Sequence, residues 1–197
     1  MFAALPPVTR TIILANIAVF LLQQVAGNVL LAFGALWPVD DPLFRPWELV
    51  TYSFLHEGVT HIFFNMFALF MFGRALESYW GGRRLVIFYL VCVLSAALTQ
   101  LAVQNATGQQ DQVIGASGGV FGVLLAFAWY FPRQRLFVLP LPIPIPAWLL
   151  VTLYALVELF YGVTGREQGV AHFAHLGGML GGALCILYWR ARRRFSS

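Results

Sequence analysis

The sequence predicts an all-α polytopic membrane protein, a bundle of six transmembrane helices with both termini on the cytoplasmic side. Three observations carry that expectation. Of the 197 residues, 60% are hydrophobic and only 10% charged, a balance that would leave a soluble domain with an apolar surface. Six runs approach the roughly 20 mostly apolar residues needed to cross the hydrocarbon of a bilayer. The arginines, finally, sort to one side of those runs.

In chain order the spans are Thr11–Leu31, Thr60–Tyr79, Leu85–Val103, Gly115–Phe131, Ala147–Gly162 and Val170–Trp189. The first begins without a charged start or a small-residue cleavage site, so it reads as a retained helix rather than a removable signal peptide. The fourth and fifth are short and flanked by glycine or proline. With the N-terminus inside, Arg10, Arg74, Arg83, Arg84, Arg133, Arg135, Arg190, Arg192, Arg193 and Arg194 fall on or near the inner face. Only Arg45 and Arg166 fall outside, as the positive-inside rule requires. The formal charge of +4 is carried without a single lysine, which suits topology signals better than a nucleic-acid surface.

The connections differ in kind. Residues 32–59 contain "WPVDDPLFRPWELVTYSFLH", too long and too aromatic for a plain linker, and read as an interfacial structure. "QNATGQQDQ" is a polar outer loop. "LPLPIPIPA", Leu139–Ala147, reads as an extended cytoplasmic link, since each proline removes a donor and restricts its predecessor. With no internal repeat evident, residues 1–197 form a single domain. Cys92 and Cys185 lie in apolar runs and read as small buried hydrophobes, and no metal-ligand spacing or cofactor fingerprint exists.

Four polar positions within the spans require explanation. Ser117 stands in "GASGG" among Gly115, Gly118 and Gly119. It is either a packing residue at a close helix contact or a nucleophile with room around it. The match to G-x-S-x-G alone is weak, because the nucleophile elbow needs a parallel sheet that this chain lacks. His175 lies about 8 Å inside the sixth span, a costly depth for an ionisable group. Gly178 and Gly182 follow it on one helical stripe that admits another backbone closely, and the glycines around Ser117 make the fourth span its natural partner. His172, one turn earlier, is the alternative base. "HIFFN" sets His61 and Asn65 on one helix face, either as a polar pair or as donors to an oxyanion. His56 reads as a brace for the loop.

Together, "GASG", "HIFFN", "AHLGGMLGG", "FLH" at Phe54–His56 and "GRALE" at Gly73–Glu77 resemble the rhomboid family of intramembrane serine proteases, in the family's order and over nearly the whole chain. The resemblance implies a six-helix core whose nucleophile, Ser117, and base, His175, lie in a water-filled cavity below the outer surface. His61, Asn65 and the backbone of Ser117 would hold the oxyanion. It implies single-pass membrane proteins as substrates and a small residue before the cleaved bond; no cofactor or metal is expected, since no phosphate loop, dinucleotide fingerprint or metal-binding cluster is present in the sequence. Two departures stand out: Trp47-Glu48 occupies the place of the family's usual Trp-Arg, with Arg45 two residues earlier, and Phe121 stands where some relatives have tyrosine.

No acidic residue reads as placed to orient His175, so a Ser–His dyad is expected, with the glycines or the Phe121 ring orienting the imidazole. Glu158 in the fifth span either faces the interior or lies near the hydrated outer surface. Two other readings compete: a catalytically silent rhomboid-like protein binding membrane helices, and a small proton-coupled transporter using His61, His175 and Glu158. The lipid bilayer and transmembrane substrates are the expected partners, nucleic acid is not, and no oligomeric state follows. A chain this short suits a prokaryotic plasma membrane, with the site opening outward.

Overall fold

A computed structural model describes residues 5–138, 141–165 and 170–194. Arg166, Leu139 and Pro140 lie outside these residues. Helix α1 runs Pro7–Gly34 and the short α2 spans Glu48–Thr51, followed by a 3₁₀ turn at Tyr52–Phe54. Helix α3 covers Val59–Trp80 with a π turn at Leu69–Gly73, and α4 covers Gly82–Thr107. Helix α5 is Ser117–Tyr130, α6 is Ala147–Thr164 and α7 is His172–Arg194. By length and composition, α1, α3, α4 and α6 can each cross a membrane. Helix α5 is apolar but, with 14 residues, rises only about 21 Å, less than the roughly 30 Å of hydrocarbon.

The structure corrects the all-α expectation at one place. Strands β1, Arg135–Val138, and β2, Leu141–Pro146, pair antiparallel between α5 and α6. The extended link was legible; its partner was not. Prolines at alternate positions of β2 leave Leu141, Ile143 and Ile145 to supply the backbone donors, which a two-stranded ribbon tolerates.

Helix α1 begins earlier than its hydropathy suggests because α3 caps it. Both carboxylate oxygens of Glu77 face its first turn, accepting from the Val8 N–H at 2.9 Å, the Thr9 N–H at 2.7 Å and the Thr9 hydroxyl at 2.7 Å. Those amides have no partner within their own helix, and a negative charge suits that end of the dipole. Glu77→Ala is therefore expected to lower stability by roughly 2–3 kcal/mol, read as an earlier unfolding midpoint in an SDS titration followed by circular dichroism.

The two ends of the bundle are chemically distinct. At one end Trp80 meets Phe88, Tyr130 and Trp189, with ring centroids 5.0–5.5 Å apart. There the guanidinium of Arg84 stands 5.9 Å from the Trp189 ring and that of Arg190 stands 5.8 Å from Trp129. This girdle of aromatics and arginines is what a lipid headgroup layer selects. The opposite end is closed by the loop between α1 and α3. Leu36 and Val113 exchange backbone hydrogen bonds of 2.9 Å each, and the Gly115 N–H donates to the Tyr52 carbonyl at 2.9 Å.

That loop is anchored from within. Glu48 is fully buried, and its carboxylate accepts from the Trp37 N–H at 3.1 Å; burial raises its pKa above the ordinary carboxylate value. Arg45 instead donates to the Pro42 and Phe44 carbonyls. Gln23 of α1 brackets the backbone of His56, accepting from its N–H at 3.0 Å and donating to its carbonyl at 3.3 Å. Burial drives the His56 imidazole down to a pKa of about 4, so it stays neutral at ordinary pH, as a brace should.

Candidate active site

The site lies where the head of α5 meets the first turns of α7. Gly115 has φ +129°, a conformation that excludes most side chains. A Cβ there would also lie 2.8 Å from the His61 imidazole. The turn delivers Ser117 as the first residue of α5, where the backbone N–H has no partner within the helix.

Glycine contact sets the distance to α7. A Cβ on Gly178 would collide with the carbonyl of Gly118, and one on Gly182 would lie 3.5 Å from the Gly122 Cα. Gly119 packs against Tyr89, where a Cβ would approach the ring to 2.5 Å. A second stripe, Gly177 and Gly181, faces Thr99 and Ser95 of α4. Helix α7 is thus gripped on two sides, a feature not read from the sequence. The result is an Oγ of Ser117 lying 2.8 Å from Nε2 of His175. The Phe121 ring stacks on His175 with centroids 4.3 Å apart and planes within 6°.

His61 and Asn65 line the same cleft as Ser117 and His175. Nδ1 of His61 faces the Glu57 N–H across a long 3.5 Å contact, which favours a proton on Nε2, the edge turned toward Gly115. Asn65 donates one of its two amide hydrogens to the His61 carbonyl at 3.0 Å. The second stays available.

The expectation that no acidic residue could reach His175 is corrected. Oε2 of Glu158, on α6, accepts from Nδ1 of His172 at 2.7 Å and stands 2.9 Å from Nδ1 of His175. The second contact falls short of hydrogen-bond alignment. His172 and Glu158 were each singled out, but their contact was not, because they stand 14 positions apart and meet only when α6 packs on α7. The signal was the cost of Glu158 itself in an apolar run. Tyr52 was also missed: its hydroxyl donates to the Val93 carbonyl at 2.9 Å, tying the loop under Ser117 to α4. Burial raises its pKa.

A sequence profile of the rhomboid domain matches residues 44–192. The chain belongs to the rhomboid family. It is 27% identical over 195 residues to the rhomboid protease GlpG of Photorhabdus laumondii, covering 97% of this chain and 64% of that protein. It is 32% identical over 124 residues to the rhomboid protease GlpG of Klebsiella pneumoniae, 62% of this chain and 43% of that one. Against the rhomboid protease AarA of Providencia stuartii the identity is 29% over 200 residues, covering 89% and 70%. The chain thus spans less than two thirds of the two GlpG proteins.

Within this rhomboid domain the cleft occupies about 1550 Å³. Its rim is polar, with Glu57, Gln104 and Asp111, and its length is apolar, running past Phe64, Leu124 and Tyr154 between α3 and α6. Glu158, His172 and His175 bring three potential metal donors within 4.8 Å of one another. The contacts of 2.7 and 2.9 Å to the carboxylate oxygen are tighter than the roughly 3.3 Å between two donors on a tetrahedral zinc. As placed, the carboxylate is hydrogen-bonded to His172 and in contact with His175.

Proposed function

We propose that this protein is an intramembrane serine endopeptidase that cleaves transmembrane segments of single-pass membrane proteins. One observation carries the reading: the hydroxyl of Ser117 and an imidazole nitrogen of His175 stand 2.8 Å apart at the polar end of an apolar cleft. His175 takes the proton as the Ser117 oxygen bonds to the scissile carbonyl carbon, forming a tetrahedral intermediate. Its oxyanion is held by the Ser117 N–H, Nε2–H of His61 and an N–H of Asn65. The intermediate collapses as His175 passes the proton to the leaving amine. Water entering from the rim then hydrolyses the acyl-enzyme, with His175 again the base.

The apolar length of the cleft suits a substrate helix arriving from lipid, and its polar head suits the unwound peptide that attack requires. A helical peptide bond is shielded by its own hydrogen bonds, so glycine or proline near the scissile bond lowers the cost of exposure. We read α1, α3, α4, α6 and α7, together with the shorter α5, as a six-span topology with both termini cytoplasmic. The arginine girdle at the end opposite Ser117 supports this orientation, with the site opening to the outer side of a prokaryotic plasma membrane. A silent helix-binding protein has no use for the Ser117–His175 contact, and a proton path has none for the apolar cleft.

The test is a fluorophosphonate probe together with a tagged single-pass substrate in reconstituted vesicles. The parent protein is expected to label and to cleave, and Ser117→Ala to do neither. Equal labelling of the two would assign the nucleophile elsewhere.

A further inference from the structure

Glu158 is costly where it stands. It is buried on a membrane-spanning helix, where a carboxylate is tolerated only when partnered. Its partners are the two imidazoles of α7, three residues apart and therefore on neighbouring positions of one face. Their rings are 6.4 Å apart and nearly perpendicular, at 87°, so both Nδ1 edges converge on the same oxygen, Oε2. On the far side of His175, Nε2 meets the Ser117 hydroxyl. A line of contacts thus runs from carboxylate to imidazole to hydroxyl.

Such a line has a chemical consequence. A carboxylate at Nδ1 keeps the proton on that nitrogen, which leaves the Nε2 lone pair facing Ser117, the tautomer a base needs. When Nε2 takes up the hydroxyl proton, the imidazolium charge forms beside a negative group already in place. His172 has a different part. Its shorter contact to Oε2, 2.7 Å, fixes the carboxylate against α7, and its ring lies 5.7 Å from that of Tyr161. Phe121 stacks on the face of His175, which sets the plane of the imidazole but not which nitrogen carries the proton. The 2.9 Å approach to His175 is imperfectly aligned at rest, as is common before substrate binds.

We infer that Glu158 is a positioning residue for His175, held in place by His172, so that the Ser117–His175 dyad works with a third group behind it, a Glu158–His175–Ser117 relay of contacts. The inference rests on the assignment of Ser117 and His175 above. Its rival is a purely structural clasp, in which Glu158 only ties α6 to α7.

The two are separated by Glu158→Gln, Glu158→Asp and His172→Phe. Each is reconstituted with a tagged single-pass substrate and measured for kcat, KM, fluorophosphonate labelling rate and unfolding midpoint. A relay requires Glu158→Gln to lose roughly 10²–10³-fold in kcat with KM nearly unchanged, because the neutral amide no longer holds the tautomer. Glu158→Asp keeps the charge and is expected to recover about tenfold over Glu158→Gln. His172→Phe, which leaves the carboxylate but removes its anchor, is expected to fall between Glu158→Gln and the parent.

Wild-type kcat in Glu158→Gln would overturn the relay. So would equal losses in the Gln and Asp variants that track the unfolding midpoint, the mark of a clasp. Should Glu158→Gln not fold, Glu158→Asp and His172→Phe decide alone: kcat at the parent value in both overturns the relay, and a loss at unchanged midpoint supports it. A parent protein that neither labels nor cleaves would take down the underlying assignment as well. A parent that labels at Ser117 while Glu158→Gln labels equally fast would remove the relay alone.

Discussion

His175→Ala is expected to lower substrate cleavage by roughly 10³-fold or more, while His172→Ala leaves substantially more activity. The two imidazoles lie one helical turn apart and share a carboxylate, yet only His175 reaches the proposed nucleophile, with Nε2 2.8 Å from the Ser117 oxygen. Removing it leaves the hydroxyl with no acceptor for its proton, so attack must proceed from a neutral alcohol. The oxyanion donors remain, which is why some cleavage above background survives. His172 contributes only through Glu158, so its loss loosens the site without removing the base. The measurement is initial cleavage rate of a tagged single-pass protein in vesicles, normalised to folded enzyme by circular dichroism. Greater loss in His172→Ala than in His175→Ala would reverse the assignment of the base.

Gly178→Val is expected to abolish cleavage and to lower stability by roughly 3 kcal/mol or more, at the upper end of overpacking costs. Any Cβ at that position runs into the carbonyl of Gly118, and backbone cannot move aside as a side-chain tip can. Helix α7 would have to retreat from α5, carrying His175 away from Ser117, the residue next to the obstructing carbonyl. Stability and activity therefore fall together, through one displacement. Gly27→Ala is the control: it also lies in a membrane-spanning helix, but nothing lies within 4 Å of the added methyl. It is expected to be neutral or to gain up to about 1 kcal/mol, since alanine restricts the unfolded chain. The SDS unfolding midpoint separates them, and a Gly178→Val protein as stable as its parent would mean the seam is looser than the glycine contacts imply.

Patterns that repeat along one helix were the most legible. Apolar runs of bilayer length located the helices to within a few residues, because hydrocarbon imposes a minimum length on any spanning element. The glycines after His175 announced a close backbone approach, because a stripe without side chains has few other uses in lipid. Less legible were features needing two distant segments. The pairing of β1 with the proline-rich β2, the cap that Glu77 lends to α1, and the grip of Ser95 and Thr99 on the second glycine stripe left no local pattern. Trp47-Glu48 read as a departure that put the loop's anchoring in question. Glu48 turns out to be an anchor itself, a buried carboxylate holding the Trp37 amide.

By itself, the sequence determined the class of molecule, the apolar segments that form its long helices, the family, and the two residues worth pairing. Those follow from composition, periodicity and short motifs, which act through neighbours along the chain. Only tertiary structure decided what stands behind the base. Glu158 and His175 stand on different helices, and whether a side chain there faces lipid, solvent or a partner depends on how α6 rotates against α7. That rotation is settled by packing between helices, and no residue along either one encodes it alone.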